Sequence, residues 1–297
     1  MTTLADLAEL VRAPAALSVP GDVVAGAAAA GALGPRTPAL AGASVLLYWA
    51  GMAANDWADR GLDAVERPER PIPSGRVTPA AAVGLAAGLT VAGVGLAAAV
   101  GGRRAAALAV PLAASIWGYD LLAKNTAAGP AVMAVCRGLD VLLGASGGRV
   151  SRALPAAVTV AAHTWTVTAL SRREVSGADA ALPMRTLAGT ALVAASAAIP
   201  PGRPAEQVGV RNGSARIAAA LPAVLAGWYA ARYGAAQAEV VRDPSAGRVR
   251  AAVGAGITGL PALQGALTAR GGAGLLGLAV AAAAPLGRRL ARKVSPT

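Results

Sequence analysis

Along most of this chain the apolar positions run continuously rather than with a surface period. Runs of about 17 to 23 residues, rich in Ala, Val, Leu and Gly, alternate with short clusters of Pro, Gly and Arg. That is the length an α-helix needs to cross a hydrocarbon layer. Ten runs are predicted, approximately 15–33, 38–57, 79–101, 104–122, 129–147, 153–171, 183–200, 214–233, 247–268 and 271–288. Pro38, Pro79, Pro130, Pro155 and Pro183 fall where helices begin, and Pro35, Pro201 and Pro204 fall in connections. The ninth run carries Pro261 and Gln264, which points to a tilted or re-entrant element and leaves nine spans as the alternative. Before the first run, Leu4, Leu7 and Val11 form a short apolar stripe ahead of Pro14, read as an interfacial amphipathic helix within residues 1–13. The pattern predicts an all-α, polytopic membrane bundle of nine to ten transmembrane helices, with residues 1–297 as a single domain.

Composition removes the alternatives. A chain that is 55% hydrophobic and 14% charged is too apolar for a soluble domain of 297 residues. The single cysteine, Cys136, excludes disulfides and cysteine metal centres, and its apolar setting predicts a buried thiol. The net charge of +12 comes without a basic stripe interleaved with aromatics, so nucleic acid is not an expected partner. In a membrane protein the excess reports orientation instead. With the amino terminus inside, Lys and Arg favour the cytoplasmic segments by about two to one. This places residues 57–78, Lys124 and residues 171–185 on the cytoplasmic face of a multi-pass cell-membrane protein. The opening residues hold Asp6 and Glu9 with no basic leader, unlike a cleaved signal peptide. Phenylalanine is absent and glycine numbers 37, so helices can approach closely.

The chemistry is concentrated between Asn55 and Arg76. At 100° per residue, Asn55, Asp59, Asp63 and Asp56 all fall within about 100° of one helix face. Carboxylates this close raise one another's pKa unless a cation holds them ionised, and Mg²⁺, which takes one or two carboxylates plus phosphate oxygens, is the natural partner. Arg67, Arg70 and Arg76 follow at once and are suited to phosphate. The competing reading is a solvated charged loop. Three smaller clusters lie near membrane edges or within spans, where polar residues are costly. Tyr119, Asp120 and Lys124 close the fourth run; they suit a diphosphate or an acceptor, and equally an interfacial anchor. Arg137 and Asp140, three apart in the fifth run, predict a mutually neutralising pair that is structural or lines a cavity for a polar substrate. Arg172, Arg173, Glu174 and Asp179 end the sixth run. The last two lie about 140° apart on a helix and share a metal less naturally than the first group. His163, the one histidine, is expected to be a packing residue.

Asn55, Asp59 and Asp63 match the N-x-x-x-D-x-x-x-D motif of the UbiA superfamily of membrane prenyltransferases. The run from Arg67-Pro68 through Arg70-Pro71-Ile72-Pro73-Ser74-Gly75, and the Tyr119–Lys124 element, resemble the same family. Cys136 to Asp140 and Ser171 to Glu174 look like its branch found in Ebo-type clusters. The resemblance implies about nine spans around a central cavity, and transfer of a prenyl group from a polyisoprenoid diphosphate, with Mg²⁺, to a small-molecule acceptor that is often aromatic. It also implies roles. Asn55, Asp59 and Asp63 would hold metal and diphosphate, with Arg67, Tyr119 and Lys124 binding the diphosphate or shaping the pocket. Asp56, Arg70, Arg137, Asp140, Arg172 and Arg173 join them as substrate-binding candidates. The family's second aspartate series is only partly present: four and eight residues before Asp179 stand Val175 and Ser171, so Glu174 and Asp179 alone remain as its metal candidates. That thinning motivates a rival reading, a non-catalytic membrane protein that binds an isoprenoid metabolite or assists its transport.

Overall fold

The structure, a computed structural model, describes residues 2–179, 181–199 and 213–283, and among them it is all-helical. Helix α1 (Leu4–Leu10) opens with a capping box, in which the Asp6 N–H donates to the Thr3 hydroxyl and the Thr3 N–H donates to the Asp6 carboxylate. Two residues beyond its end, Arg12, with φ 48°, turns the chain sharply into a 3-10 turn at Ala13–Ser18. The helices that follow are α2 (Pro20–Ala30), α3 (Thr37–Glu66) and α4 (Pro79–Gly118). A π-helical turn (Tyr119–Ala123) then leads to α5 (Gly129–Gly144), α6 (Val150–Ser171) and α7 (Ala181–Ala198). Helices α8 (Gly213–Arg242), α9 (Ala246–Arg270) and α10 (Gly274–Ala283) complete the bundle.

Helix α4 is a hairpin. At Gly102 φ is 66°, a left-handed conformation that glycine adopts without a Cβ penalty. Beyond it the Trp117 indole N–H donates to Thr90 Oγ1 at 3.1 Å. In a straight helix those residues would stand about 40 Å apart, so the two arms run antiparallel, as the runs 79–101 and 104–122 predicted. Among the described residues four helical segments are long and apolar enough to cross a membrane, Thr37–Glu66, Pro79–Ala123, Gly129–Gly147 and Val150–Ser171, the second of them being this hairpin.

Two expectations need correction. The first run does not form a bilayer-length helix: α2 has 11 residues, about 16 Å, because the 3-10 turn precedes Pro20 and Gly31 ends it with φ 68°. The ninth run is not re-entrant. Helix α9 continues through Pro261, and every residue from Gly259 to Ala269 is buried. The tenth run is described only as far as Ala283; the rest of it lies outside the described residues, as do Pro201 and Pro204.

Small residues set the packing around the site. A Cβ on Gly26 of α2 would collide with the Val141 carbonyl of α5, and one on Gly144 of α5 with the Val23 carbonyl of α2. The two backbones are thus in direct contact. On the far side of the bundle His163 is buried, its Nδ1 2.8 Å from the Tyr229 hydroxyl and its ring edge-on to Tyr229 and Tyr233. It packs, as expected. Leu10 and Val11 bury themselves with Ala53, Ala54, Ile72 and Val77, so one face of α1 sits against α3 and the loop after it, while Leu4 is exposed.

Candidate active site

Helix α3 extends past the apolar part of its run to Glu66, so Asn55, Asp56, Asp59 and Asp63 occupy successive turns of one continuous helix. Each acid receives a cation from a different segment. Asp59 meets Lys124 Nζ at 2.6 Å. Asp63 meets Arg70 at 2.7 Å and Arg67 at 3.8 Å. Asp56 meets Arg12 at 2.8 Å and Arg70 at 3.4 Å. The Asn55 amide donates to Asp120 Oδ1 at 3.0 Å, joining the cluster to the π turn. That turn matters for Lys124: its N–H bonds to the Tyr119 carbonyl five residues back, and the inserted residue rotates the side chain by about 100° relative to an unbroken α-helix.

The burial is uneven. The side chains of Asp63 and Asp56 are 3% and 6% exposed, whereas Asp59 is 25% exposed. Among the described residues no three His, Cys, Asp or Glu side chains are grouped to hold a metal ion between them. The donor chemistry still suits Mg²⁺. Asn55 and Asp59 offer hard oxygens one helical turn apart at the accessible end, and Mg²⁺ commonly takes only one or two carboxylates before filling its shell with phosphate and water.

The remaining candidates separate into those brought to the site and those held elsewhere. Tyr119, Asp120, Arg137 and Asp140 line a cavity of about 100 Å³ between α3, α4 and α5, which reaches Asp120, the partner of Asn55. Arg137 and Asp140 are not paired with each other. Arg137 reaches Asp22 of α2 at 2.8 Å, and Asp140 accepts from the Ser44 hydroxyl of α3. The reason is geometric: α5 is wedged between α2 and α3, so two side chains on one face of it find different neighbours. Cys136 is buried against the same cavity. Arg172 donates to the Thr126 carbonyl, in the turn that follows Lys124. The Arg173 side chain is exposed, and its carbonyl accepts from Gly177 N–H.

The second acidic pair does other work. Asp179 Oδ1 accepts from the N–H groups of Ala181 and Leu182, capping the start of α7. Glu174 offers its carbonyl to Arg250 at 2.8 Å, and partial burial holds its carboxyl above the usual range against the pull of that arginine. Arg76 is not held for phosphate. It bonds Asp6 and Glu9, both at 2.7 Å, and ties α1 to the loop after α3.

A sequence profile described as the UbiA prenyltransferase family matches residues 18–232. The chain belongs to the UbiA prenyltransferase family. Two curated relatives are named digeranylgeranylglyceryl phosphate synthase. One, from Methanothrix thermoacetophila, is 51% identical over 59 residues, covering 20% of this chain and 22% of the relative. The other, from Halobacterium salinarum, is 34% identical over 155 residues, covering 49% and 54%. The chain thus spans between about a fifth and about half of the length of these relatives. Among solved structures, one described as a digeranylgeranylglyceryl phosphate synthase in membranes superposes with TM-score 0.66 at 15% identity, covering 90% of this chain and 97% of the other. An apo UbiA homolog from Aeropyrum pernix K1 gives 0.62 at 20% identity, covering 88% and 96%. Both show a shared membrane-protein fold. Prenyltransferases of this family generally work with a divalent metal.

Within this UbiA-family site, the structure adds residues that sequence patterns did not single out. Arg12 enters from the segment after α1, and no helical spacing links it to α3. Ser44 enters by bonding Asp140, and Asp22 by holding Arg137 and accepting at Oδ1 from Nε2 of Gln264, the polar residue of the ninth run, at 2.6 Å; the same Nε2 donates to the Ser18 carbonyl at 2.8 Å. Asp22 carried a usable signal, an isolated acid inside an apolar run.

Proposed function

We propose that this protein transfers a prenyl group from a prenyl diphosphate to a hydroxyl-bearing acceptor at the cytoplasmic end of α3, with residues 1–297 acting as one unit. One observation carries the reading: Asn55, Asp59, Asp120 and Lys124 meet at the end of an apolar-walled cavity, with Arg12, Arg67 and Arg70 around them. The relatives' names, which describe a glyceryl phosphate product, support an oxygen acceptor ahead of an aromatic one. The excess of Lys and Arg on this face supports the cytoplasmic side.

Asn55 and Asp59 would hold a divalent metal, Mg²⁺ by donor type, and Asp63 would join as Arg70 turns to the substrate. The metal supplies neutralising charge to the diphosphate as the allylic carbon–oxygen bond breaks. The chain's own groups do the rest. Lys124, Arg67, Arg70 and Arg12 donate to the diphosphate oxygens, which gain negative charge on departure. Tyr119 and the apolar wall behind it keep water from the electron-poor prenyl carbon until the acceptor oxygen attacks, its hydroxyl proton passing to the departing pyrophosphate. Capping of α7 by Asp179 favours a second reading, binding or assisted movement of an isoprenoid metabolite without turnover, because it withdraws an acid from any second metal site.

Pyrophosphate release separates the two. Protein in nanodiscs, given labelled prenyl diphosphates of increasing chain length and a panel of acceptors, should release pyrophosphate only with Mg²⁺. Asp59→Ala should lower the rate on the order of a hundred-fold or more. Full activity in that variant would sink the assignment.

A further inference from the structure

The two ends of the bundle are charged in different ways. Around the acid cluster, cations and carboxylates interleave and pair. At the opposite end the connections carry arginine alone. The α2–α3 turn holds Arg36, the tip of the α4 hairpin Arg103 and Arg104, the start of α6 Arg149 and Arg152, and the end of α9 Arg270. Among the described residues no Asp or Glu lies in these turns, and none of the six arginines makes an ion pair. Arg270 is partly buried and donates to the Ser196 carbonyl; the other five are exposed. The turns form one surface. A Cβ on Gly101 would touch Ser146, one on Gly148 the Ala30 carbonyl, and one on Gly271 Ala28, while the Arg149 N–H donates to the Ala30 carbonyl at 3.3 Å. Like charges gathered in this way repel one another unless anions arrive from outside. The flanks beneath them are apolar and open. Val91 and Val110 on the two arms of α4, and Leu154 and Val158 on α6, are exposed within about 15 Å of the arginines along their helices.

We propose that this arginine face binds the headgroups of anionic phospholipids, of the phosphatidylglycerol kind, at the end of the bundle remote from the acid cluster. A free anion would match the arginines alone. A phospholipid matches both features, with its phosphate at the guanidinium groups and its acyl chains along the apolar flanks. The sign of the headgroup follows from the charge count. A zwitterionic headgroup brings a cation with its phosphate and leaves the face as positive as before, whereas an anionic one removes a unit of charge with each lipid. An arginine beside an anionic surface strengthens association about five-fold. The arginines are spread over four turns and serve different lipids, so the preference per lipid should be several-fold rather than the product of all of them. Arg36 and Asp59 stand about 35 Å apart along α3. The face is therefore separate from the acid cluster and does not rest on the prenyl-transfer reading.

The test places the full chain in phosphatidylcholine vesicles with a trace of spin-labelled phosphatidylglycerol or spin-labelled phosphatidylcholine. The motionally restricted fraction of each label gives its relative association with the protein. Phosphatidylglycerol should be preferred about three-fold or more, and salt at about 1 M should pull that preference towards unity. Arg103→Gln, Arg104→Gln, Arg149→Gln and Arg152→Gln together should abolish most of it. Arg103→Gln with Arg104→Gln alone should remove about half, and covers the case in which the fourfold variant fails to fold. Arg185→Gln with Arg248→Gln, exposed arginines outside this face, should leave the preference in place. Millimolar inorganic phosphate at constant ionic strength should also leave it in place. Equal association of the two lipids in the wild type overturns the proposal, as does a preference that survives the fourfold variant or is lost equally in the Arg185 and Arg248 control. Collapse of the preference in inorganic phosphate overturns it too, by assigning the arginines to a soluble anion.

Discussion

Replacing Arg70 by Ala tests whether the acid cluster is held together by its cations. Among the described residues Arg70 is the one cation that touches two of the acids, Asp63 at 2.7 Å and Asp56 at 3.4 Å, and its side chain is 20% exposed. Breaking an exposed pair costs about 0–1 kcal/mol and breaking a buried one about 3–5 kcal/mol, most of it from the charge left behind. Here the acids are buried and the arginine partly wet. Arg12 still serves Asp56, and Arg67 stands 3.8 Å from Asp63 with half its surface in solvent. The loss should therefore fall between the limits, about 2 kcal/mol, and nearly all of it should trace to Asp63. An unfolding equilibrium in mixed micelles measures it, and a double-mutant cycle with Asp63→Asn locates it. In the Asp63→Asn background the arginine has a neutral amide for a partner, so removing it should cost less than about 0.5 kcal/mol. A cost for Arg70→Ala that is the same in both backgrounds would refute the reasoning, since it would arise from packing of the loop rather than from charge.

Two further outcomes follow from the same geometry. Asp179→Ala should cost about 1 kcal/mol through loss of the α7 cap and leave the Mg²⁺ dependence of pyrophosphate release unchanged; a raised Mg²⁺ requirement would return Asp179 to the metal site. The strap from α1 to the loop after α3 should be acid-resistant. The Thr3 hydroxyl and N–H, and then Arg76, hold the Asp6 carboxyl at about 2, below its ordinary value of 3.8. A depressed carboxyl stabilises the fold fully above its unfolded pKa, and the effect disappears as pH falls through the folded one. Hydrogen exchange at the α1 amides should thus stay protected down to about pH 4 and lose the Asp6 contribution progressively towards about pH 2. An Asp6→Asn variant should show no such change across that window.

How far the sequence could be read depended on whether the partners of a residue lay on its own helix. The four-residue spacing of Asn55, Asp59 and Asp63 put them on one face because α3 is continuous there. The hairpin of α4 was legible as two separate apolar runs, 79–101 and 104–122. Arg137 and Asp140 failed the same logic. Their spacing fixes a shared face but not the partner, and α2 and α3 compete for them on either side of α5. Asp179 carried a second, local signal: an Asp just before a helix that carries Pro183 near its start is an N-cap pattern, and its Oδ1 accepts from the first amides of α7.

The cations explain how the α3 acids can crowd one face without a metal. Arg12, Arg70 and Lys124 come from three segments separated in sequence, and each neutralises an acid that its neighbours on the helix could only repel. Cations parked on carboxylates are also cations already delivered to the place where a diphosphate would arrive. Exchange of Lys124 and Arg70 from carboxylate to phosphate oxygen, as a metal takes their place on Asp59 and Asp63, would alter the charge balance of the site very little. The spacing of α3 made the acids visible in the sequence; the part of the design it could not reveal is this loan of charge from elsewhere in the fold.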